Sequence, residues 1–477
     1  MAYIGLDVGT SSVKGLLLNE QHEVVKTASR VYPINYFNDG WSEQNPEDWY
    51  NKSLEVLQEL ITKEITIKGI SFSGQMHGLV ILDAADQVIR PAILWNDQRT
   101  IAECQYLNEE IGKDVLRKEV GNIALTGYTL PKILWVKNHE PENFRKIKKV
   151  MLPKDYVAYK LTGVFASDVS DLSGTLLFDV KNRTYSPKMV DVSGLKIENL
   201  PKILESYEVS GFLKESLKQH LNLKNNVKVI IGGGDQAVGA VGTGTVLKDD
   251  INISLGTSGV VYVSRDKFSL PKNEIVHSFC DATGSYLLMG VALATGSSMN
   301  WFYEQILKQD NYAGLEENLL HANSSDLYFL PYISGERSPI NDPLARGAFL
   351  GLSNQTTNFS MIKSIIEGTS FSLKHITESL EIINLKNIKI TGGGSKNPFW
   401  RTTIASLFQT SINTINTEEG PALGAAILAM AGAQNIDIKD ITKKIVKKDQ
   451  ICQPEYDLDE KYTKWKTIYP KIKELDL

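Results

Sequence analysis

Asp7-Val8-Gly9-Thr10-Ser11-Ser12 and Ser254-Leu255-Gly256-Thr257-Ser258-Gly259 write the same turn twice, once with an acid and once without. Each follows or overlaps a β-branched, strand-like run and leads into another. A Gly-Thr-Ser hairpin tip offers backbone N–H groups and hydroxyls to an anion without steric crowding. Two such tips facing each other can clamp a nucleotide's phosphates from both sides. Only the first carries a carboxylate, so a bound metal ion has a preferred side. Asp7 precedes Gly9 by two residues, and strand pleating puts the two on one side. Hydrated Mg²⁺, which takes few protein ligands and many waters, suits a carboxylate in that position. Lys14, two residues beyond Ser12, adds a cation. For either copy alone the competing reading is plain turn geometry, since Gly, Thr and Ser are common in hairpins.

Working outward, strand-like and helix-like segments alternate, which predicts an α/β fold. Tyr3 to Leu6, Val13 to Leu18 and His22 to Ser29 read as a three-stranded meander. Pro46 to Thr62 reads as a helix with Asn45 as its cap and Pro46 at its first position. Lys68 to Ser71 and Gly78 to Leu82 read as strands, and Val227 to Ile231 as another that runs into Gly232-Gly233-Gly234-Asp235. The second half restarts with Asp250 to Leu255 and Gly259 to Ser264. It then gives a strand at Ile388 to Thr391 and a helix from Pro398 to Gln409. Gln236 to Gly242 and Pro421 to Ala433 read as helices of small residues, fit for close packing. A boundary near residue 245 divides the chain into 1–245 and 246–477, each half opening with one copy of the turn.

Composition places the chain among ordinary globular proteins. The 477 residues suffice for two or three domains, with 42% apolar and 22% charged residues. A net charge of −5 spread over many Lys and Glu argues against a nucleic-acid partner. The Lys443, Lys444, Lys447, Lys448 cluster reads as a solvated helix face. Cys104, Cys280 and Cys452 are far apart and in no metal-ligand spacing, which predicts reduced thiols and a cytoplasmic protein. The strand-like start lacks the pattern of a signal peptide, and no apolar run is long enough to span a membrane.

Several residue groups carry candidate chemistry. At Gly232-Gly233-Gly234-Asp235 a strand ends, three glycines let the backbone pass close to something, and an acid opens a helix. Asp235 reads as a helix cap, as a base, or as both. A helix N-terminus stabilises the ionised acid, so as a base Asp235 is expected to be weak but always available, which phosphoryl transfer tolerates. Gly392-Gly393-Gly394-Ser395-Lys396-Asn397 follows a strand and reads as a glycine edge for a flat purine or as a plain strand-to-helix turn. Gly296 and Asn300, one helical turn apart, read as contributors to the same pocket or as packing residues. Ser73-Gly74-Gln75-Met76-His77-Gly78, with Trp95-Asn96-Asp97-Gln98-Arg99 nearby, suits a sugar-like ligand. The indole offers a flat wall, while amides and imidazole bond hydroxyls. The glycine turns match neither a Walker-A loop nor a dinucleotide fingerprint.

Together these residues resemble the FGGY family of carbohydrate kinases, within the actin-like ATPase superfamily. The resemblance runs in order along nearly the whole chain. Asp7-Val8-Gly9-Thr10 is similar to the family's first phosphate motif, Ser254-Leu255-Gly256-Thr257 to the second, and Gly392-Gly393-Gly394 to the adenosine motif. Gly127-Tyr128-Thr129-Leu130-Pro131-Lys132-Ile133-Leu134-Trp135 resembles one family signature. Gly347-Ala348-Phe349-Leu350-Gly351-Leu352, running on to Glu367, resembles the other, with Ser360 departing from its usual acid, amide or His. Gly74-Gln75-Met76-His77-Gly78, Leu94-Trp95-Asn96-Asp97, Met151-Leu152-Pro153-Lys154-Asp155-Tyr156 and Ser334-Gly335-Glu336-Arg337 are similar to motifs of the members that phosphorylate D-xylulose.

The resemblance implies two actin-like, ribonuclease H-like domains, each a mixed sheet flanked by helices, with a nucleotide cleft between them. It implies Asp235 as general base and Asp7 as the carboxylate near Mg²⁺. Thr10, Ser11, Ser12 and Lys14 match phosphate-turn positions, and Thr257, Gly296, Asn300, Gly393 and Asn397 match nucleotide contacts. Met76 and His77 match a sugar-contacting pair, while Trp95 and Gln236 match sugar-site positions in related members. The implied reaction moves a phosphoryl group from ATP to D-xylulose, with the sugar against the first half of the chain. D-ribulose, L-xylulose, ribitol and gluconate stand as alternative acceptors. An actin-like ATPase without a sugar is the alternative of another class, and Ser254, where such proteins keep an acid, speaks against it. A homodimer is a family-level expectation.

Overall fold

The computed structural model describes residues 1–475 apart from 63, 309–314, 383, 384 and 386. Its first meander is β1 (Ala2–Val8), β2 (Ser12–Asn19) and β3 (Val24–Val31). β1 pairs antiparallel with β2 through Asp7 opposite Lys14 and Val8 opposite Val13, which leaves the Gly9 turn as a hairpin tip. On its other side β1 runs parallel to β4 (Ile67–Gly74). β5 (Val209–Phe212) and β6 (Lys228–Ile230) complete the sheet, β6 parallel to β4 and β5 antiparallel at the edge. Helix α1 (Pro46–Leu60) joins the meander to β4, with the Asn45 side chain accepting the Glu47 N–H as its cap. It stops short of the expected Thr62 because its apolar face ends at Leu60.

The second half repeats this plan. β7 (Ile251–Leu255) and β8 (Gly259–Arg265) form a hairpin whose tip is the second Gly-Thr-Ser turn. β9 (His277–Cys280) lies outermost, and β10 (Tyr286–Ala292) sits between it and β8. β7 runs parallel to β11 (Ile388–Thr391), which runs parallel to β12 (Ile412–Ile415), and antiparallel β13 (Lys448–Cys452) closes the edge. The order β3-β2-β1-β4-β6-β5 recurs as β10-β8-β7-β11-β12-β13, with the same strand directions. In each sheet the hairpin tip and the turns after the two parallel strands beside it end up at the same edge, with the glycine-rich turn after β6 in the first sheet and after β11 in the second. Parallel strands bring their carboxyl ends together, and ligands of open α/β sheets bind there.

Two helices of small residues sit between the sheets: α2 (Asp235–Gly242) and α5 (Gly420–Gln434). They meet backbone to backbone. A Cβ on Gly242 would collide with the Gly420 carbonyl oxygen, and one on Gly424 with that of Val238. The same α5 lies on the first sheet, where a Cβ on Gly5 would collide with the Ala422 carbonyl oxygen. Tyr3, Leu16 and Leu18 from the first half and Leu423, Ile427 and Leu428 from the second share one buried cluster here. The 245 division therefore follows the chain, while the packing crosses it. A second crossing joins residues 122–128 to β9. Tyr128 Oη lies 2.7 Å from His277 Nδ1, and the Asn122 amide bonds Ser278 through both its oxygen (3.0 Å) and its nitrogen (2.9 Å). Among the described residues no helix is long and apolar enough to cross a membrane.

Gly424→Ala is expected to destabilise the protein by about 1–3 kcal/mol or more, since neither backbone can retreat from the new methyl group. Urea unfolding would measure this, and an unchanged midpoint would show that the helices do not meet as described.

Candidate active site

Three cavities follow one another along the cleft. The inner one, about 230 Å³, is bounded by Met76, His77, Trp95, Tyr128, His277 and Arg337, and by Asp235 and Gln236. Asp235 and Gln236 also bound the middle cavity, about 380 Å³, with Ser254, Gly392, Gly393 and Lys396. Gly393 and Lys396 then bound the outer cavity, about 690 Å³, with Thr257, Gly296, Asn300 and Asn397. Shared walls make these one continuous cleft, and Asp235 stands at the junction of its inner and middle parts.

The glycines before Asp235 have a definite partner. Gly233 and Gly234 pair with Ser73 and Gly74 of β4. Gly232 adopts φ +71° with no room for a Cβ against the Phe72 backbone, and a Cβ on Gly234 would press on Met76. What the backbone passes close to is thus β4 and the Met76 side chain. The cap reading of Asp235 is corrected as well. Gly234 occupies the cap position, no side chain caps the helix, and Asp235 is its first residue.

The expectation of an always ionised Asp235 also fails. Burial, followed by the nearby Asp7 carboxylate, pushes Asp235 up to about 7, and hydrogen bonding from Gln236 offsets this only in part. Desolvation outweighs the helix terminus because α2 is short and its start faces another acid. Burial likewise pushes Asp7 upward, and the nearby Ser73 hydroxyl and the charge of Lys14 offset this only in part. Asp7 Oδ1 is buried without a hydrogen-bond partner, and its Oδ2 lies 4.0 Å from where a Gly9 Cβ would sit. A buried, unpaired carboxylate oxygen facing a second acid suits a cation. Among the described residues no group of three or more His, Cys, Asp or Glu is arranged to hold one. The donor set therefore fits a mostly hydrated ion such as Mg²⁺, not a cation that needs a protein cage.

The first turn is held from outside. Tyr32 Oη donates to the Gly9 carbonyl (2.6 Å), Gln44 to the Thr10 carbonyl (2.7 Å) and Trp95 Nε1 to Thr10 Oγ1 (3.0 Å). Thr10, Ser11, Ser12 and Lys14 bound none of the three cavities. Lys14 instead pairs with Glu419 at 2.5 Å, linking β2 to the start of α5. The second turn is anchored to α3 (Gly296–Trp301), the helix that follows β10. The Gly256 carbonyl accepts the Gly296 N–H (2.9 Å), and the Thr257 carbonyl accepts those of Thr295 and Ser297 (both 3.1 Å). Thr257, Gly296, Asn300, Gly393 and Asn397 come together in the outer cavity. Asn397 Oδ1 accepts the Trp400 N–H (3.1 Å) at the start of α4 (Pro398–Phe408), which commits the oxygen to the helix. A Cβ on Gly393 would meet nothing within 4 Å, so this glycine borders open cleft.

Met76, His77, Trp95 and Gln236 do share the inner cavity. His77 sits at φ +70°, a costly conformation for a non-glycine residue. Its carbonyl is pinned by Lys132 Nζ (2.8 Å) and Thr129 Oγ1 (3.1 Å). Nδ1 lies 2.8 Å from the Gly174 carbonyl, which can only accept, so Nδ1 carries the proton. Burial pushes His77 down to about 3, leaving a neutral ring with Nε2 as an acceptor. Ser258, His277, Met289 and Arg337 from the second half line the same cavity, beside the residues expected from the first. Tyr128 and Arg337 stood inside quoted motifs without an assigned role. His277, an isolated His, gave no signal.

A duplicated α/β fold closing on this cleft is that of the FGGY carbohydrate kinases. The FGGY carbohydrate kinase N-terminal domain matches residues 2–242 and the C-terminal domain residues 251–433. The chain belongs to this family and is a sugar kinase. It is 39% identical to a xylulose kinase of Staphylococcus xylosus over 446 residues, 91% of this chain and 92% of that one. It is 38% identical to a xylulose kinase of Escherichia coli K12, covering 90% of each chain. A solved structure described as a xyloylose kinase from Brucella ovis superposes with a TM-score of 0.94 at 34% identity, over 100% of both chains.

Two pH effects follow from Asp235. Activity that needs its carboxylate ionised should rise with pH through an apparent pKa near 7. A pH profile of kcat/KM that is flat from 5 to 9 would show that no such group controls turnover. Because the folded state holds this proton more tightly than the unfolded chain, ionising Asp235 destabilises the fold as pH rises from the ordinary carboxylate range to about 7. Asp235→Asn should therefore raise the melting temperature at pH 8, with the gain shrinking toward pH 4.

Proposed function

We propose that this protein transfers the γ-phosphoryl group of ATP to the terminal hydroxyl of D-xylulose, forming D-xylulose 5-phosphate and ADP. The observation that carries this reading is the place of Asp235, on the wall of both the small inner cavity and the cavity leading to the glycine edge. The ketose lies in the inner cavity, with Met76 and Trp95 as walls, His77 Nε2 accepting from a hydroxyl, and Arg337 donating from the far side. Gln236 bonds the sugar beside the base. The nucleoside lies in the outer cavity against Gly296, Asn300, Gly393 and Asn397, with Thr257 toward the phosphates.

Asp235 accepts the proton of the terminal hydroxyl as that oxygen bonds to phosphorus and the bond from phosphorus to the bridging oxygen of ADP breaks. A weak base suffices because the transition state is loose. Thr10, Ser11 and Ser12 reach the phosphates when the halves 1–245 and 246–477 close about α2 and α5, and Lys14 leaves Glu419 to join them. Asp7 would hold Mg²⁺, and the ion would supply charge neutralisation at the phosphates. Closure excludes water and aligns hydroxyl and phosphorus. D-xylulose is favoured over other acceptors because the cited relatives, at 38–39% identity over about nine-tenths of the chain, are xylulose kinases.

A coupled ADP-release assay across D-xylulose, D-ribulose, L-xylulose, ribitol and gluconate tests the proposal. D-xylulose should give the highest kcat/KM, and a higher value for any other compound would reassign the acceptor. Asp235→Asn should lower kcat by roughly 10²–10⁴-fold while calorimetric sugar binding persists. Near-parental turnover would remove Asp235 from the chemistry.

A further inference from the structure

Beneath the Gly233-Gly234-Asp235 turn lies a group of ionisable side chains that phosphoryl transfer leaves without a role. Lys154 Nζ stands 2.5 Å from Asp155, 2.9 Å from Asp168 and 3.5 Å from Asp171, and all four side chains are fully buried. The other oxygen of Asp168, Oδ2, accepts from the Ser170 N–H (2.8 Å), the Ser170 hydroxyl and the Ser206 hydroxyl (2.7 Å). With its proton committed to Asp168, Ser170 Oγ is left as an acceptor, and it takes the Gly234 N–H at 3.1 Å. Gly234 is the residue before Asp235. The packing leaves no slack, since a Cβ on Gly233 would come within 2.6 Å of Ser170 Oγ and one on Gly74 within 2.8 Å of Lys154 Cβ.

Stability does not explain such a group. Desolvating a buried ion cluster often outweighs its internal attraction, and apolar residues of equal volume commonly serve as well. Ionic hydrogen bonds do add fixed direction. Here the direction runs from Lys154 through Asp168 and Ser170 to the Gly233–Gly234 peptide, next to the proposed base. We propose that Lys154, Asp168 and Ser170 form a positioning relay that holds the Gly233–Gly234 peptide, fixes the backbone leading into Asp235, and so aims the Asp235 carboxylate at the acceptor hydroxyl. This rests on the phosphotransfer reading above. None of the three touches substrate.

Ser206 supplies the control, since it donates to the same Asp168 oxygen but its side chain makes no bond to residues 232–235. Ser170→Ala and Ser206→Ala would be compared with the parent protein, using the sugar the parent turns over fastest. Ser170→Ala should lower kcat by roughly 10–100-fold, with KM for sugar and ATP within threefold, as expected of a misaimed group. Ser206→Ala should keep kcat within threefold while losing a similar amount of thermal stability. Parental kcat in Ser170→Ala, or an equal fall in both variants, would overturn the relay. Should Ser170→Ala not fold, Asp168→Asn weakens the same hold on Ser170, and an unchanged kcat there would overturn it equally. A parent inactive on every sugar would instead bring down the phosphotransfer reading, an outcome visible before any variant is made.

Discussion

The closeness of α2 and α5 is the constraint on which the rest of the molecule depends. Helices normally meet through side chains, 8–10 Å axis to axis. Here Gly242 faces the Gly420 carbonyl and Gly424 faces that of Val238, so backbone meets backbone. One of these helices starts with Asp235, and the other lies on the first sheet across Gly5. The contact therefore sets where the acid stands relative to both sheets. It offers little apolar area per residue, and the stabilisation comes from the larger side chains around it, Leu423, Ile427 and Leu428 among them. Small residues supply the geometry and large ones the free energy.

Electrostatics works against stability at the same place. Asp7 lies near the end of β1 and Asp235 opens α2; burial holds both above the usual carboxylate range, and for Asp235 the Asp7 charge adds to it. A fold selected for stability alone would pair or remove one of them. Keeping both leaves a carboxyl that titrates near neutrality beside an unpaired carboxylate oxygen. His77 shows the same tension in its backbone, where φ +70° is held by Lys132 and Thr129 on its carbonyl. That hold presents a neutral imidazole nitrogen to the inner cavity.

The division of the cleft between the two halves gives the arrangement its logic. Each sheet brings one hairpin turn and one glycine-rich turn to the same edge, because strand order and direction are duplicated. The first hairpin carries Asp7 where the second has Ser254, while α2, opened by Asp235, has its counterpart in α5, which follows Glu418 and Glu419. Charge at the hairpins is thus asymmetric on a symmetric frame. The inner cavity draws on both halves through Met76 and His77 on one side and His277 and Arg337 on the other, so it is complete only when they are together.

Much of this was legible in the sequence because it depends on local stereochemistry. Glycine and hydroxyl residues at hairpin tips, Asn45 and Pro46 opening a helix, and runs of Gly and Ala needing close packing all act within a few residues. The repeated turn therefore pointed to the duplicated α/β fold, and the outer-cavity residues were found together. What the sequence could not determine depends on contacts distant along the chain. The titration of Asp235 is set by burial and by Asp7, more than two hundred residues away in sequence. That the glycines before it serve β4 and Met76, that Lys14 pairs with Glu419, and that His277 lines the inner cavity were decided only when the chain folded back on itself. Burial and Coulomb interaction depend on distance in space, and spacing along the chain does not encode it.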